Sequence, residues 1–444
     1  MVKNLTEGKV SSVLWQFTMP MFVSVIFQQM YNIADSAIAG IFAGEDALAA
    51  VGASYPVTMI FMAIAVGSNV GCSVVISRLF GSGMMRKMKT AISTTLISSS
   101  VLSLVLTVLG LLLSAPLMRL LNTPESIFRQ GDYYLKVYIA GLLFLFLYNV
   151  ATGIFTSLGD SKTPLYFLIG SSLGNIFLDW LFVAVFHWGV GGVAWATFVA
   201  QGIACVLALL ALYRRVRDIP ITGGKILLYS HDMFIRICRI AVPSILQQSF
   251  VSVGNLFIQG LVNGYGSGVL AGYSAAVKLN NFAITSFSTM SNGISNFTAQ
   301  NLGAGRPERV EEGFRAGCRM VWMIAIPFIV LFFFFGSLAM RLFLTNPVGE
   351  AMATGVQYLK ILSPFYLAIP IKLVADGVLR GGAAMKSFMA TTFSDLILRV
   401  VLAFVFSAVW GSVGIWIAWP VGWVISMVLS LIFYYRGNWK PDAT

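Results

Sequence analysis

The chain has 444 residues, of which 58% are hydrophobic and only 10% charged, and its mean hydropathy is +0.84. Soluble domains carry about 25% charged residues, and no soluble fold of this length hides so much apolar surface, so a soluble enzyme, a disordered chain and a DNA-binding domain are excluded. The net charge of +12 would suggest nucleic acid in a soluble protein, but in a membrane protein basic residues crowd the cytoplasmic loops instead.

A helix crossing the hydrocarbon core needs about 20 mostly apolar residues. Twelve such stretches follow one another, at 13–38, 49–76, 92–114, 132–157, 164–186, 191–213, 237–262, 268–298, 317–343, 354–379, 387–408 and 413–435. The predicted fold class is an all-α polytopic membrane protein with twelve transmembrane helices. A lipid-facing β-barrel would alternate polar and apolar residues and lacks such long runs. The first stretch has no small-residue cleavage site and reads as a span rather than a signal peptide.

The Lys and Arg residues divide unevenly between the two sets of loops. One set, which includes both chain ends, holds 21, the other holds 5, and Lys278, Lys372 and Arg399 fall inside spans. This asymmetry predicts cytoplasmic termini and removes the reason to invoke nucleic acid. Anionic headgroups of the inner leaflet are the expected neighbours of the basic loops.

The two halves resemble each other at an offset of about 222 residues. Pro20, Gln28-Gln29 and Asn32 answer to Pro243, Gln247-Gln248 and Asn255; GSG at 81–83 answers to GAG at 303–305; Trp188-Gly189 answers to Trp410-Gly411. Six spans per half is an even number, so the halves are parallel repeats whose symmetry axis runs along the membrane normal. The predicted domains are a six-helix bundle over 1–213, a basic cytoplasmic linker over 214–236 and a second six-helix bundle over 237–444. Because the duplication is internal, a monomer suffices.

Charges inside a membrane are costly and mark candidate sites. In the first span Gln28, Tyr31, Asn32 and Asp35 share one helix face, with Met30 beside them and Pro20 a turn or more before. A polar stripe of this kind faces a cavity or joins helices; the acid at its end favours the cavity. Asn175 and Asp179 stand one turn apart in the fifth span, and Thr197 lies in the sixth. Asp35, Asn175, Asp179 and Thr197 together form an oxygen-rich set suited to Na+ or a proton. Gln28, Met30, Tyr31 and Asn32 are the candidate substrate-cavity residues, and Pro20 is a candidate point of bending.

In the second half, Asp395 and Arg399 are aligned with Asn175 and Asp179 and are expected to cancel each other as an i, i+4 ion pair. Lys372, Asp376 and Arg380 form a second i, i+4 ladder, read as structural. Lys278 has no helix-mate partner.

No HExxH, GxSxG or GxxxxGK[ST] motif is present. Cys72, Cys205, Cys238 and Cys318 are scattered, and His187 and His231 lie in loops, so no structural metal or cofactor is expected beyond a possible Na+. Without a nucleotide site, transport must draw on an ion gradient or on the substrate's own gradient.

The stretches PMFVSVIFQQMYNIADSAIAG, DALAAVGAS, GNIFLDWLF, GGVAWAT and QNLGAG resemble the multidrug and toxic compound extrusion (MATE) family in its DinF-like branch, over essentially the whole chain. The resemblance implies two six-helix bundles opening in a V and cation-coupled antiport of cationic, amphipathic compounds across a bacterial inner membrane. It also implies that Asp35, Asn175, Asp179 and Thr197 form the coupling-ion site, with Gln28 and Tyr31 in the drug cavity. The alternative function is a flippase for lipid-linked precursors, which would carry a strongly basic cavity and extra spans. A passive channel would need a ring-like polar pore lining.

Overall fold

The computed structural model describes residues 4–38, 41–42, 44–121, 123–221, 225–344 and 349–440. The middle of the predicted linker, 222–224, and both chain ends lie outside the described residues.

The described residues form helices and turns. In chain order they are α1 (Val10–Ile38), α2 (Glu45–Gly81), α3 (Met85–Leu120), α4 (Glu125–Ala140), α5 (Leu142–Ser157) and α6 (Lys162–Asp179), the last continuing as a π-helical segment, Trp180–Val185. Then follow α7 (Gly189–Arg217), α8 (His231–Asn263), α9 (Ser267–Gly303), α10 (Pro307–Phe334), α11 (Gly336–Met340) and α12 (Glu350–Leu362). A 3-10 turn (Ser363–Leu367), α13 (Ile369–Gly381), α14 (Met385–Trp410) and α15 (Ser412–Tyr435) complete the chain. Each of the twelve apolar stretches corresponds to one helix or one broken helix.

Among the described residues nine helices are long and apolar enough to cross a membrane, or up to eleven if each of two bent pairs is one span. One pair, α4 with α5, bends by 48° at Gly141; the other, α12 with α13, bends by 51°. Pro364 and Pro370 flank the second break, where a missing N–H and a fixed φ end the α-helical ladder. Pro20 and Pro243, by contrast, lie inside continuous helices. The twelfth stretch, α9, is 37 residues long but too polar for the apolarity test, because its Asn and Ser side chains are buried inside the protein. Tyr366, for example, donates to Asn280 Oδ1 at 2.7 Å.

Sharp turns between helices use glycine at the repeated positions. Gly83 and Gly305, the last residues of the GSG and GAG motifs, have φ of +70° and +68°, a region that carries no penalty only without a Cβ. Many apolar side chains are exposed, including Val101, Val108 and Leu112 along α3. On a membrane helix such a stripe meets lipid tails rather than water.

By packing, the chain divides into two compact units. The first comprises Met1–Asn4 and Val23–Ile245, the second Leu5–Phe22 and Leu246–Thr444. The division does not follow the linker; it falls within α1 and α8, two residues after Pro20 and Pro243. In the first unit, Gly67 and Gly71 of α2 meet α8 so closely that a Cβ on either would lie 2.8 Å or less from the backbone of Ile245 or Ala241. The end of the linker joins α3 through Ser230 N–H to Thr94 Oγ1 at 3.0 Å. Its core packs Val57, Phe61, Met118, Leu135, Leu142 and Phe146 from α2 to α5.

In the second unit the segment before α1 is bound to the α9–α10 corner. Leu5 N–H donates to Gln300 Oε1 at 3.1 Å, Arg306 Nη1 to the Thr6 carbonyl at 2.6 Å, and Arg309 Nη1 to the Gly8 carbonyl at 2.9 Å. Aromatic rings from α9, α12 and α15 fill the core, with Tyr273, Tyr358 and Trp416 centroids 5.2 to 5.7 Å apart.

Candidate ion-coupling site

Within the first unit, the second part of α1 brings Tyr31 and Asp35 to α6 and α7. Asp35 and Asp179 come close enough for each carboxyl group to feel the other, although 144 positions separate them in sequence. The Tyr31 hydroxyl donates to Asn175 Oδ1 and lies near Thr197. Asn175 Nδ2 in turn donates to Asp179 Oδ2 at 3.0 Å. Thr197 gives its own hydroxyl proton to the Val193 carbonyl at 3.1 Å, so its lone pairs are left for a ligand. Asn175 and Asp179 are 4% and 1% exposed.

One oxygen of each acid, Asp35 Oδ1 and Asp179 Oδ1, is buried and accepts no hydrogen bond. An unfilled buried carboxylate oxygen is expensive in a low dielectric. Two of them on neighbouring carboxyl groups, with an amide and two hydroxyls around them, make a set that a proton or a small hard cation completes.

The four residues singled out as an ion set are thus brought together. Tyr31, read from sequence as a cavity residue, joins them through Asn175. Gln28, Met30 and Asn32 are exposed within the unit and take no part in this network. Sequence reasoning missed Tyr134 of α4, which lies close enough to Asp35 and Asp179 to feel both charges. The signal was available as a tyrosine pair at helical spacing, Tyr134 and Tyr138, in an otherwise apolar span. Both line a pocket of about one water molecule's size, with Thr197 and Gln201 opposite. The site residue Asp179 ends α6, and the wider π-helical turns begin at the next residue; such changes of pitch are frequent at functional sites.

The profile of the MatE family matches residues 20–181 and 243–405, a stretch in each half. The chain belongs to the MatE family. It is 29% identical over 438 residues to the probable multidrug resistance protein YpnP of Bacillus subtilis, covering 98% of this chain and 97% of that one. It is 23% identical to a FAD transporter of Shewanella oneidensis, covering 97% and 95%. A solved MOP superfamily transporter from Pyrococcus furiosus shares the fold with a TM-score of 0.91 at 22% identity, covering 98% and 97%. This MatE chain is therefore a multi-pass membrane transporter and not an enzyme.

The two matched stretches begin at 20 and 243 and end at 181 and 405, offsets of 223 and 224 if their ends correspond. NIFLDWLF from Asn175 then faces RVVLAFVF from Arg399. The counterpart of Asn175 is Arg399, and that of Asp179 is Ala403, whereas the sequence reading had used Asp395 and Arg399. The spacing within the halves also differs: Lys162 and Trp188 are 26 positions apart, Lys386 and Trp410 only 24, and the first half has a π-helical segment there while α14 runs unbroken. Asp35 pairs with Ile258 and Thr197 with Trp419, so the second unit has no copy of the site.

The expected ion pairs of the second unit are partly present. Lys372 Nζ lies 2.9 Å from Asp376 Oδ2. Asp395 and Arg399 make no direct ion pair among the described residues: the Arg399 guanidinium instead lies over the Trp419 ring, 4.3 Å from its centroid. Arg380 Nη2 donates to Asn292 Oδ1 at 2.7 Å rather than to Asp376. Lys278 finds the Phe343 ring at 5.5 Å.

Proposed function

We propose that this MatE transporter is a secondary antiporter that exports cationic, amphipathic compounds in exchange for H+ or Na+ by alternating access. The observation that carries the reading is the close pair of acids, Asp35 and Asp179, on two different helices, each with a buried oxygen that no donor fills. Arrival of an ion neutralises the pair and its departure restores the repulsion, so occupancy biases how α1 sits against α6. Several relatives, among them YpnP, are named as multidrug resistance proteins, which supports drug-like substrates. A bacterial plasma membrane with both termini in the cytoplasm follows from the basic loops, and a monomer is sufficient because both units lie in one chain.

The test is efflux of a cationic dye, ethidium, from proteoliposomes under a Na+ gradient and a pH gradient applied separately. Asp35→Asn and Asp179→Asn are expected to lose ion-driven efflux while keeping their thermal stability and ion-independent substrate counterflow. Wild-type rates in both variants would overturn the proposal. FAD as the transported compound, in parallel, checks the substrate class: transport of FAD but not ethidium would overturn the cationic assignment alone.

A further inference from the structure

The second unit buries five charged side chains that the site above does not use. Lys372, Asp376 and Arg380 lie on α13, Asp395 and Arg399 on α14, and none is more than 7% exposed. The two helices are antiparallel, and one contact fixes their register: Thr391 of α14 donates its hydroxyl to Asp376 Oδ1 at 2.9 Å. Ser430 of α15 donates to the same oxygen at 2.8 Å.

From that level, four residues along either helix is a step of about 6 Å. Stepping toward the start of α13 reaches Lys372; stepping the other way along α14 reaches Asp395, so the two stand at one height. Arg399 is one step further, and Arg380 one step below Asp376. The charges alternate along the pair of helices as Arg380, Asp376, Lys372, Asp395, Arg399.

Within this ladder the lysine sides with one acid. Asp376 Oδ1 faces two hydroxyls, that of Thr391 shared with the Phe388 carbonyl, and its Oδ2, which takes no hydrogen bond, is held by the Lys372 ammonium as an ion pair at 2.9 Å. Asp395 Oδ1 is buried and receives no hydrogen bond, and Arg399, its helix neighbour, is occupied with Trp419. Gly422 of α15 closes over it, since a Cβ there would lie 3.1 Å from Asp395 Oδ1. Lys372 feels the charge of Asp395 as well as that of Asp376. A buried carboxylate left unfilled beside an ammonium that another acid holds is a costly arrangement, and it is relieved if the ammonium moves over.

We infer that Lys372 is a positioning residue of the transport cycle with two seats, Asp376 in the state described here and Asp395 in the alternate state. The flexible four-carbon stem of a lysine allows such an exchange, whereas a planar guanidinium would not make it as readily. Each seat holds α13 against α14 at a different offset, so the exchange gives the second unit two discrete packings instead of a continuum. The inference rests on the reading of this chain as an alternating-access transporter but not on the identity of its coupling ion.

Asp395→Asn separates this role from a structural one. Removing an unfilled buried carboxylate leaves the melting temperature unchanged or raises it, while substrate counterflow, measured without any ion gradient, falls about tenfold or more with substrate affinity retained. Asp376→Asn, which removes the occupied seat, lowers the melting temperature. Counterflow at the wild-type rate in Asp395→Asn overturns the inference. So does a loss of stability in Asp395→Asn equal to that of Asp376→Asn, because Asp395 would then already hold the lysine. Counterflow reads the exchange even where ion-driven efflux is absent, so failure of the antiport reading and failure of this one are distinguishable.

Discussion

Tyr31→Phe removes one oxygen from the ion site and leaves the ring in place. In the structure that hydroxyl is what fixes the Asn175 amide: it donates to Oδ1, which leaves Nδ2 to donate to Asp179 Oδ2 at 3.0 Å. Without it, Asn175 has two choices. It keeps its orientation with a buried acceptor unfilled, at a cost of about 1–3 kcal/mol, or it turns over and presents an oxygen to the Asp179 carboxylate. Either way the preorganisation of Asp179 is lost. At about 1.4 kcal/mol per factor of ten, the first choice alone weakens the coupling ion by about 5- to 150-fold, close to the 10- to 100-fold typical when a partner behind a metal ligand is lost. The assay is titration of the purified protein with Na+ and, separately, with acid, read by the shift in melting temperature. The variant is expected to need a correspondingly higher ion concentration for the same shift. Ion affinity equal to wild type in both titrations would refute the argument that Tyr31 orders the site.

Two further outcomes follow from the packing. Gly71→Leu places a side chain where a Cβ alone would lie 2.5 Å from the Ala241 Cβ and 2.8 Å from its backbone; displacing α8 destabilises by about 1–3 kcal/mol or more, measured as a lower melting temperature in detergent, and an unchanged value would show that the contact yields freely. Arg309→Gln removes the donors to the Gly8 and Leu5 carbonyls at 2.9 and 3.4 Å and the 2.9 Å bond to Asn301 Oδ1; faster hydrogen exchange confined to 5–8 is expected, and wild-type protection there would assign the anchoring to Arg306, Gln300 and Asn301.

Composition and periodicity made the fold class legible, since twelve apolar runs leave little choice of architecture. The acids of the first unit were legible as well, because a charge in an apolar run is conspicuous. Their meeting was not: Asp35 and Asp179 belong to distant segments, and nothing local encodes their contact. The break at Gly141 was equally hidden, for the run from 132 to 157 is continuously apolar and a glycine within it reads as tolerated. The ion pair expected of Asp395 and Arg399 failed for a different reason. Spacing of i, i+4 permits a contact but does not select a rotamer, and the Trp419 face, brought by α15 from outside the local window, competes for the same guanidinium.

The two units began from one repeat, and the positions that now differ are those that decide what each unit can bind. Where the first has Asp35, Asn175, Asp179 and Thr197, the second has Ile258, Arg399, Ala403 and Trp419. An arginine over an indole is a cation already in place, tethered and desolvated; it needs no ion from solution and repels one that arrives. On the antiport reading this asymmetry has a mechanical consequence. A coupling ion that bound equivalent sites in both units would bias both at once, whereas an ion confined to the first unit acts on α1 alone. The second unit must then follow by packing, and its buried ladder, with Asp376 paired to Lys372 and Asp395 Oδ1 without a donor, offers the two arrangements between which the proposed exchange would move it.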